Sequence, residues 1–465
     1  MLESIRLLPA YQALLRSLSK NLPMTGLALL RSARLPLIAA LQGDLKRPIL
    51  LITDRVDHAL TFVDELKFWS GGGNCQLFPE PNPLFYEQAS WGTATRRDRI
   101  QVLTALAIYH LPGVAKSEQP PVIIAPIRAI MARTLPRRDF LKVTKSLKTG
   151  MTISPENLQR SWVEIGYQFA DTVLEPGQIS RRGGLLDIWP PSEEYPARLD
   201  FFGDEIDTLR QFDPATQRTF QSIKELLVTP AREVLPGKVA NSGLEIQDVN
   251  EFYLPVVHPT PATLLDYLPQ QSLILVDDLS MLQVTATEIE EQAVKLRMES
   301  IREETLSQDF PAPYLSWSEI QDTLERHCWL ELGRSTTVDP SELALAFMPG
   351  PRFGGHLKAL VDYLVISCQQ GGQVEVVSRQ VSRLRELWIE NNRNLDIDYS
   401  PAFHEGTLSE GWILKLPDGK QLHLLTDSEI FGWERPKPRQ QHQPLAGAPE
   451  AFYADLKPGD WVVHV

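Results

Sequence analysis

Cysteine is scarce. Cys75, Cys328 and Cys368 are spread over 465 positions, and no two form a CxxC pair. That spacing speaks against a zinc ribbon or a disulfide framework and fits three small buried side chains in a reducing, cytoplasmic compartment. Long apolar runs are missing too; none approaches the roughly 20 residues that cross a bilayer, so no membrane partner is expected. The opening MLESIRLLPAYQALLRSL is amphipathic, carries Glu3 and lacks both the apolar core and the cleavage site of a signal peptide, so it reads as one ordinary helix. Positive charge is in deficit: 46 Lys and Arg against 59 Asp and Glu leave a net charge of −13, which argues against a surface that wraps nucleic acid as a whole but leaves room for a small basic patch.

Catalytic signatures are equally thin. A phosphate loop needs glycines that let backbone N–H groups approach the anion, then a lysine and a hydroxyl residue for charge and Mg²⁺. The amino-terminal candidate, PMTGLALLRSARLPLIAAL, has Gly26 but runs on through Ser32, Ala33, Arg34 and Leu35 without Gly-Lys-Ser/Thr. The pairs Gly237-Lys238 and Gly419-Lys420 are followed by Val239 and Gln421, so neither supplies the hydroxyl. Asp277-Asp278, after the apolar run SLILV, resembles the acidic end of a Walker B strand, although aspartates in that place are commonly helix N-caps. The nine histidines form no HExxH and no Ser/His/Asp pattern, so no catalytic residue and no metal site is assigned.

What is present is ample core material. The 43% apolar and 23% charged fractions are those of a soluble globular protein, and the length favours two to four domains. RPILLIT, the helical spacing of DHALTFVDELKFW, then CQLF, RRDRIQVLTALAIYH and PPVIIAPIRAIMART alternate strand and helix, which implies a parallel sheet with helices on both faces. From about Lys142 to Pro230 the period changes to short strands with turns at Pro-Gly and Gly-Asp, the pattern of a small α+β insert with its own core. SLILV and a charged helix from about Met281 to Glu304 resume the α/β order. A further unit follows, with a helix around His356 to Cys368, the strand QVEVVS, a helix through RLRELWIENN and a hairpin turning at DGK. Glu434 to Glu450 is a linker by composition, and the last residues, WVVHV, read as a strand whose continuation lies beyond Val465.

Within the insert, PARLDFFGDEI alternates so that Leu199 and Phe201 share one face and Arg198, Asp200 and Phe202 the other. Two readings stay open. Either Arg198 and Phe202 stand out together in solvent, the kind of pair that anchors protein interfaces, or Phe202 caps a core edge while Arg198 pairs with a nearby aspartate. The basic runs RRDR, from Arg96 to Arg99, and RQVSRLR, from Arg379 to Arg385, read as solvated helix faces in preference to DNA contacts.

EPGQISRRGGLLDIWPP followed by EYPARLDFFGDEIDTLRQFDPATQR resembles the stretch shared by the bacterial excinuclease component UvrB and the transcription-repair coupling factors, and TLLDYLPQQSLILVDD continues that resemblance. MPGPRFGG, TDSEIFGWERPKPR and LKPGDWVVHV resemble the coupling factors only. The degenerate phosphate-loop positions and the short PNPLFYEQASWGT, where UvrB carries a DNA-probing hairpin, also point to the coupling factors.

The resemblance implies an α/β multidomain chain: a degenerate P-loop NTPase-like domain in two parts, 1–145 and 229–334, interrupted by a small α+β insert at 146–228 that binds UvrA, the damage-recognition ATPase of the excinuclease. An additional α/β domain at 335–433, a linker at 434–452 and, at 453–465, the start of an RNA-polymerase-interacting domain would follow. It implies a recruitment and autoregulatory module for nucleotide excision repair. The contact residues carry over onto Arg182, Arg198 and Phe202, with Arg181 adjacent, and in the full-length family a C-terminal domain masks this surface. Gly26, Ser32, Arg34, Asp277 and Asp278 become relics of a nucleotide site. ATP, Mg²⁺ and translocation on double-stranded DNA belong to motor domains elsewhere in the family, so no cofactor is expected in this chain. Reversal of Arg182 or Arg198 to Glu is expected to weaken binding by about 2 kcal/mol or more with the fold intact. The alternative is a UvrB-like, ATP-dependent damaged-DNA-binding protein, which would bind ATP at micromolar concentration.

Overall fold

The computed structural model describes residues 1–20, 26–114, 116–241, 250–333, 340–391 and 400–435; the linker and the terminal segment expected at 434–465 lie outside these except for residues 434 and 435. The opening segment forms two helices, Leu2–Arg6 and Pro9–Ser19, where the sequence suggested one. Pro9 has no N–H to continue the first helix and holds Leu8 extended, at ψ 128°.

The apolar runs become β1 (Ile49–Thr53), β2 (Cys75–Leu77) and β3 (Val122–Pro126). Every residue of β1 and β3 is buried, as expected of strands covered on both faces. The chain then leaves through β4 (Lys145–Lys148) and builds β5 (Gln168–Phe169), β6 (Gln178–Arg182), β7 (Leu185–Ile188), β8 (Ala197–Phe202), β9 (Glu205–Phe212) and β10 (Thr219–Ser222). It returns through β11 (Glu225–Val228). β11 pairs antiparallel with β4, so exit and return run side by side. The inserted strands form one sheet in the order β10-β9-β8-β7-β6-β5. β12 (Leu273–Val276) and β13 (Cys328–Glu331) complete the first sheet, which is parallel throughout in the order β13-β12-β1-β3-β2.

The larger, inner face of the insert sheet does not close a separate core; only Val173, Trp189 and Phe212 cluster apart from the main body. Ile179, Ile188 and Leu199 belong to one contiguous cluster with Leu50 and Ile52 of β1, bridged by Leu158 and Trp162 of the helix Pro155–Glu164 and by Leu147 and Leu226 of the β4–β11 ribbon. A sheet of this size buries too little by itself and leans on the larger body.

The last described unit comprises β14 (Phe347–Pro349), β15 (Gln373–Ser378), β16 (Ala402–Glu405), β17 (Trp412–Lys415) and β18 (Gln421–Thr426), a mixed sheet in the order β14-β17-β18-β15-β16. The helices Leu357–Gln369 and Val381–Asn391 cover one face. The other face joins the body: Trp412, Leu414 and Leu424 lie in one cluster with Ile49, Leu51 and Leu66, and Trp412 stacks on Trp69 at 6.3 Å between ring centres. Buried Glu65 adds polar ties, accepting from the Ser409 amide at 2.9 Å and from Arg435 at 3.1 Å.

Candidate functional site

The six-stranded sheet sorts its side chains by register. Arg181, Leu186, Leu199 and Leu209 are paired across β6, β7, β8 and β9 and therefore share a face, as do Ser180, Asp187, Arg198 and Arg210 on the other. The leucines are buried, so the first set faces the core. Arg182, Leu185, Asp200 and Thr208 form a second row on the outer face. Successive arginines therefore part company. Arg181 bends over the core-side helix and donates to Glu156 at 2.5 Å, and that bond holds the Glu156 carboxyl down at about 2. Arg182 stands on the outer face, donates to the Asp171 carbonyl at 2.9 Å and to the Thr172 hydroxyl at 2.8 Å, and has no carboxylate partner among the described residues.

Phe202 closes this face at the turn into β9. At 83% exposure it is the most exposed large apolar side chain among the described residues. The register shifts between Asp200 and Phe201, yet Phe201 still packs inward and Phe202 outward. The turn that follows uses Gly203 at φ 62°, a left-handed conformation open to glycine at little cost.

Arg198 does not stand out in solvent beside Phe202. Its Nε and Nη2 donate to the two carboxylate oxygens of Asp187 at 2.7 and 2.8 Å, its Nη1 donates to the Gln217 carbonyl at 3.3 Å, and its guanidinium lies 4.6 Å from the centre of the Phe212 ring. Its side chain is 16% exposed and that of Asp187 5%. Of the two open readings, pairing with an aspartate describes Arg198 and exposure describes Phe202. Reversal of Arg198 to Glu would set two carboxylates together at a nearly dry site, so the fold would not stay intact as expected.

Of the five nucleotide-site candidates, the structure pairs Arg34 with Asp277 and gives Gly26, Ser32 and Asp278 other surroundings; they form no phosphate cradle. The backbone after Gly26 runs alongside β13: the amides of Leu27, Ala28 and Leu29 donate to the carbonyls of Glu331, Gly333 and Leu332 at 2.8 to 3.0 Å. Amides that a phosphate loop would aim at an anion are thus engaged by carbonyls. Arg34 reaches across to Asp277, with Nη1 2.5 Å from Oδ1 and 3.0 Å from the carbonyl oxygen. Gly333 allows this closure, since a Cβ there would meet the Asp277 carbonyl at 2.5 Å. Asp278 is the N-cap of the helix Leu279–Arg302, accepting from the Met281 amide at 3.1 Å. Ser32 donates to the Gly411 carbonyl in the last unit.

The basic runs fare differently from each other. Arg99 is fully buried, not on a solvated face: it pairs with Glu233 at 2.5 Å and lies 4.1 Å from the Phe78 ring centre. Arg383 and Arg385 are exposed. Sequence reasoning missed Asp187, Phe212 and Glu233; the spacing of Asp187 and Arg198 in facing strands of one hairpin was the available signal for the first. No helix among the described residues is long and apolar enough to cross a membrane.

The family described as the UvrB interaction domain matches residues 146–234. The chain is 24% identical over 490 residues to the transcription-repair-coupling factor of Bacillus subtilis (strain 168), an alignment covering 93% of this chain and 40% of that protein. The corresponding factor of Myxococcus xanthus is 31% identical over 210 residues, 44% of this chain and 17% of that protein. That of Staphylococcus aureus (strain MRSA252) is 23% identical over 500 residues, 96% of this chain and 41% of that protein. The chain therefore spans about two fifths of the length of the Bacillus and Staphylococcus relatives.

Proposed function

We propose that the chain corresponds to the N-terminal region of a transcription-repair coupling factor, and that it is a docking module that binds the excinuclease component UvrA and so directs nucleotide excision repair to stalled RNA polymerase; the match of residues 146–234 to the UvrB interaction domain and the similarity to the coupling factors support this reading. The observation that carries this is the outer face of β6 to β8, where Arg182 and Phe202 are presented on a rigid sheet inside the region matching the UvrB interaction domain. An arginine with no carboxylate partner among the described residues and an exposed aromatic on the same sheet face supply the charge and the apolar anchor that interface centres use.

We further infer that the first unit is a degenerate NTPase domain that does not turn over nucleotide. The engaged amides of residues 27 to 29 and the Arg34–Asp277 pair support this reading. ATP, Mg²⁺, double-stranded DNA and the main RNA polymerase contacts then belong to other parts of the coupling factor, as does a C-terminal domain that masks the docking face.

The test is titration of this chain with purified UvrA, with a parallel titration with ATP. Saturable binding of UvrA without ATP binding at micromolar concentration is expected. ATP binding without UvrA binding would favour the UvrB-like alternative.

A further inference from the structure

We propose that a cavity in the first unit, lined by residues 81–91 and by Arg133, is a binding site for a single carboxylate carried on a short apolar stem, with the Arg133 guanidinium as the group that receives it. The site lies outside the insert and stands or falls independently of the docking function.

Arg133 follows the short helix Ile127–Met131 at the end of β3. Its backbone is fixed: the amide donates to the Pro313 carbonyl at 3.1 Å, and Ala132 bridges to Tyr314. Its side chain is not. Nε and Nη1 are buried and have no hydrogen-bond partner among the described residues. Burial pushes Arg133 below the ordinary arginine range. Glu319 offsets part of that shift through its field, yet its carboxylate is committed to the capping box at Ser316, where it accepts from the Ser316 amide at 2.7 Å. Other buried arginines of this unit are paired, Arg34 with Asp277 and Arg99 with Glu233. A guanidinium left without an acceptor is costly, and one in a cavity wall points to an anion from outside.

The cavity has a volume of about 40 Å³. That exceeds the roughly 10–15 Å³ that one water requires; it admits a carboxylate and the carbons beside it but not a ring system. The walls are rigid and mostly apolar. Phe85 stacks on Tyr314 at 4.8 Å, and Phe252 stacks on Phe310 at 4.7 Å. Tyr86 is held at φ 69°, a left-handed conformation that is unfavourable for a bulky side chain and is kept only where the surroundings enforce it. Two carboxylates on the wall are already engaged: Glu251 accepts from Arg232 with both oxygens, and Glu87 accepts from the Leu84 amide at 2.8 Å. One unpaired positive charge near two satisfied negative ones suits a monoanion and disfavours a phosphate dianion. The planar donors of arginine match the oxygens of a carboxylate, and the apolar wall matches a short aliphatic stem. A free short-chain acid and a glutamate side chain present this same group.

The experiment follows the Arg133 Nε–H signal in the chain labelled with isotopic arginine, assigned through Arg133→Met. The probes are butyrate, the α-amide of N-acetylglutamic acid, ethyl phosphate and the neutral butyramide. Expected are a saturable shift with at least one of the two carboxylates, no shift with butyramide, and roughly tenfold or greater loss of carboxylate affinity in Arg133→Met by calorimetry. The urea midpoint of ligand-free Arg133→Met should equal or exceed that of the wild type, because the unpaired charge contributes nothing to the empty fold. Tighter binding of the acetylglutamate amide assigns the site to a glutamate side chain, and tighter binding of butyrate assigns it to a free acid. An equal response to butyrate and butyramide, tighter binding of ethyl phosphate than of either carboxylate, or a lowered midpoint in Arg133→Met overturns the proposal.

Discussion

Arg34 and Asp277, 243 positions apart in sequence, form an ion pair 2.5 Å long with side chains only 11% and 8% exposed. Each is the partner the other requires in a dry site, since an unpaired buried charge is costly. Asp277→Ala or Arg34→Ala should therefore destabilise the chain by about 3 kcal/mol or more, read as a lowered urea midpoint. An unchanged midpoint in both variants would show that the pair contributes nothing.

Glu233 lies just beyond the insert and pairs with Arg99 at 2.5 Å, with Thr134 donating to its second oxygen, also at 2.5 Å. Glu233→Gln retains the volume but removes the charge from the completely buried Arg99. A loss of about 3 kcal/mol is expected, read as a lowered urea midpoint; an unchanged midpoint would contradict it.

The last unit shares a core with the first. Trp412 is fully buried, stacks on Trp69 and meets Phe347 edge-on at 5.3 Å. Trp412→Ala should cost about 3 to 5 kcal/mol, and it should lower the melting of β1 as well as β18, as followed by hydrogen exchange. Loss of protection confined to residues 340–433 would contradict a shared core.

His110, His258, His327 and His423 all have pKa values lowered from the ordinary 6.5, in each case first by burial. A base whose folded value lies below its unfolded value binds more protons when unfolded. Its contribution is complete above about 6.5 and declines as pH falls from there. Glu65 and Glu429, raised by burial, act in the opposite direction, so the histidine effect is read as a difference. Between pH 7.5 and 5.5, His258→Gln should lose less stability than the wild type; an equal loss would show that His258 binds protons equally in the folded and unfolded states.

These relationships mark the limit of what the sequence discloses. SLILV and RPILLIT are legible as buried strands because unbroken apolar runs suit a sheet covered on both faces, and Asp278 is legible as an N-cap because capping is local. Arg99 is not legible: a run of Arg-Arg-Asp-Arg looks solvated until Glu233, 134 residues away, is placed beside it. The opposite fates of Arg181 and Arg182 follow from strand alternation once β6 is located, but which arginine faces the core depends on the helix Pro155–Glu164 packed beneath it. For Arg198, alternation gives the face but not the fold-back onto Asp187 and Phe212.

The most direct test of the docking account is calorimetric titration of UvrA into this chain, wild type against Phe202→Ala and Arg182→Glu. Both positions are exposed, so both variants should keep the wild-type melting temperature. The account predicts saturable wild-type binding, weakened by about 2 kcal/mol or more in each variant. Equal affinity in all three proteins would contradict it.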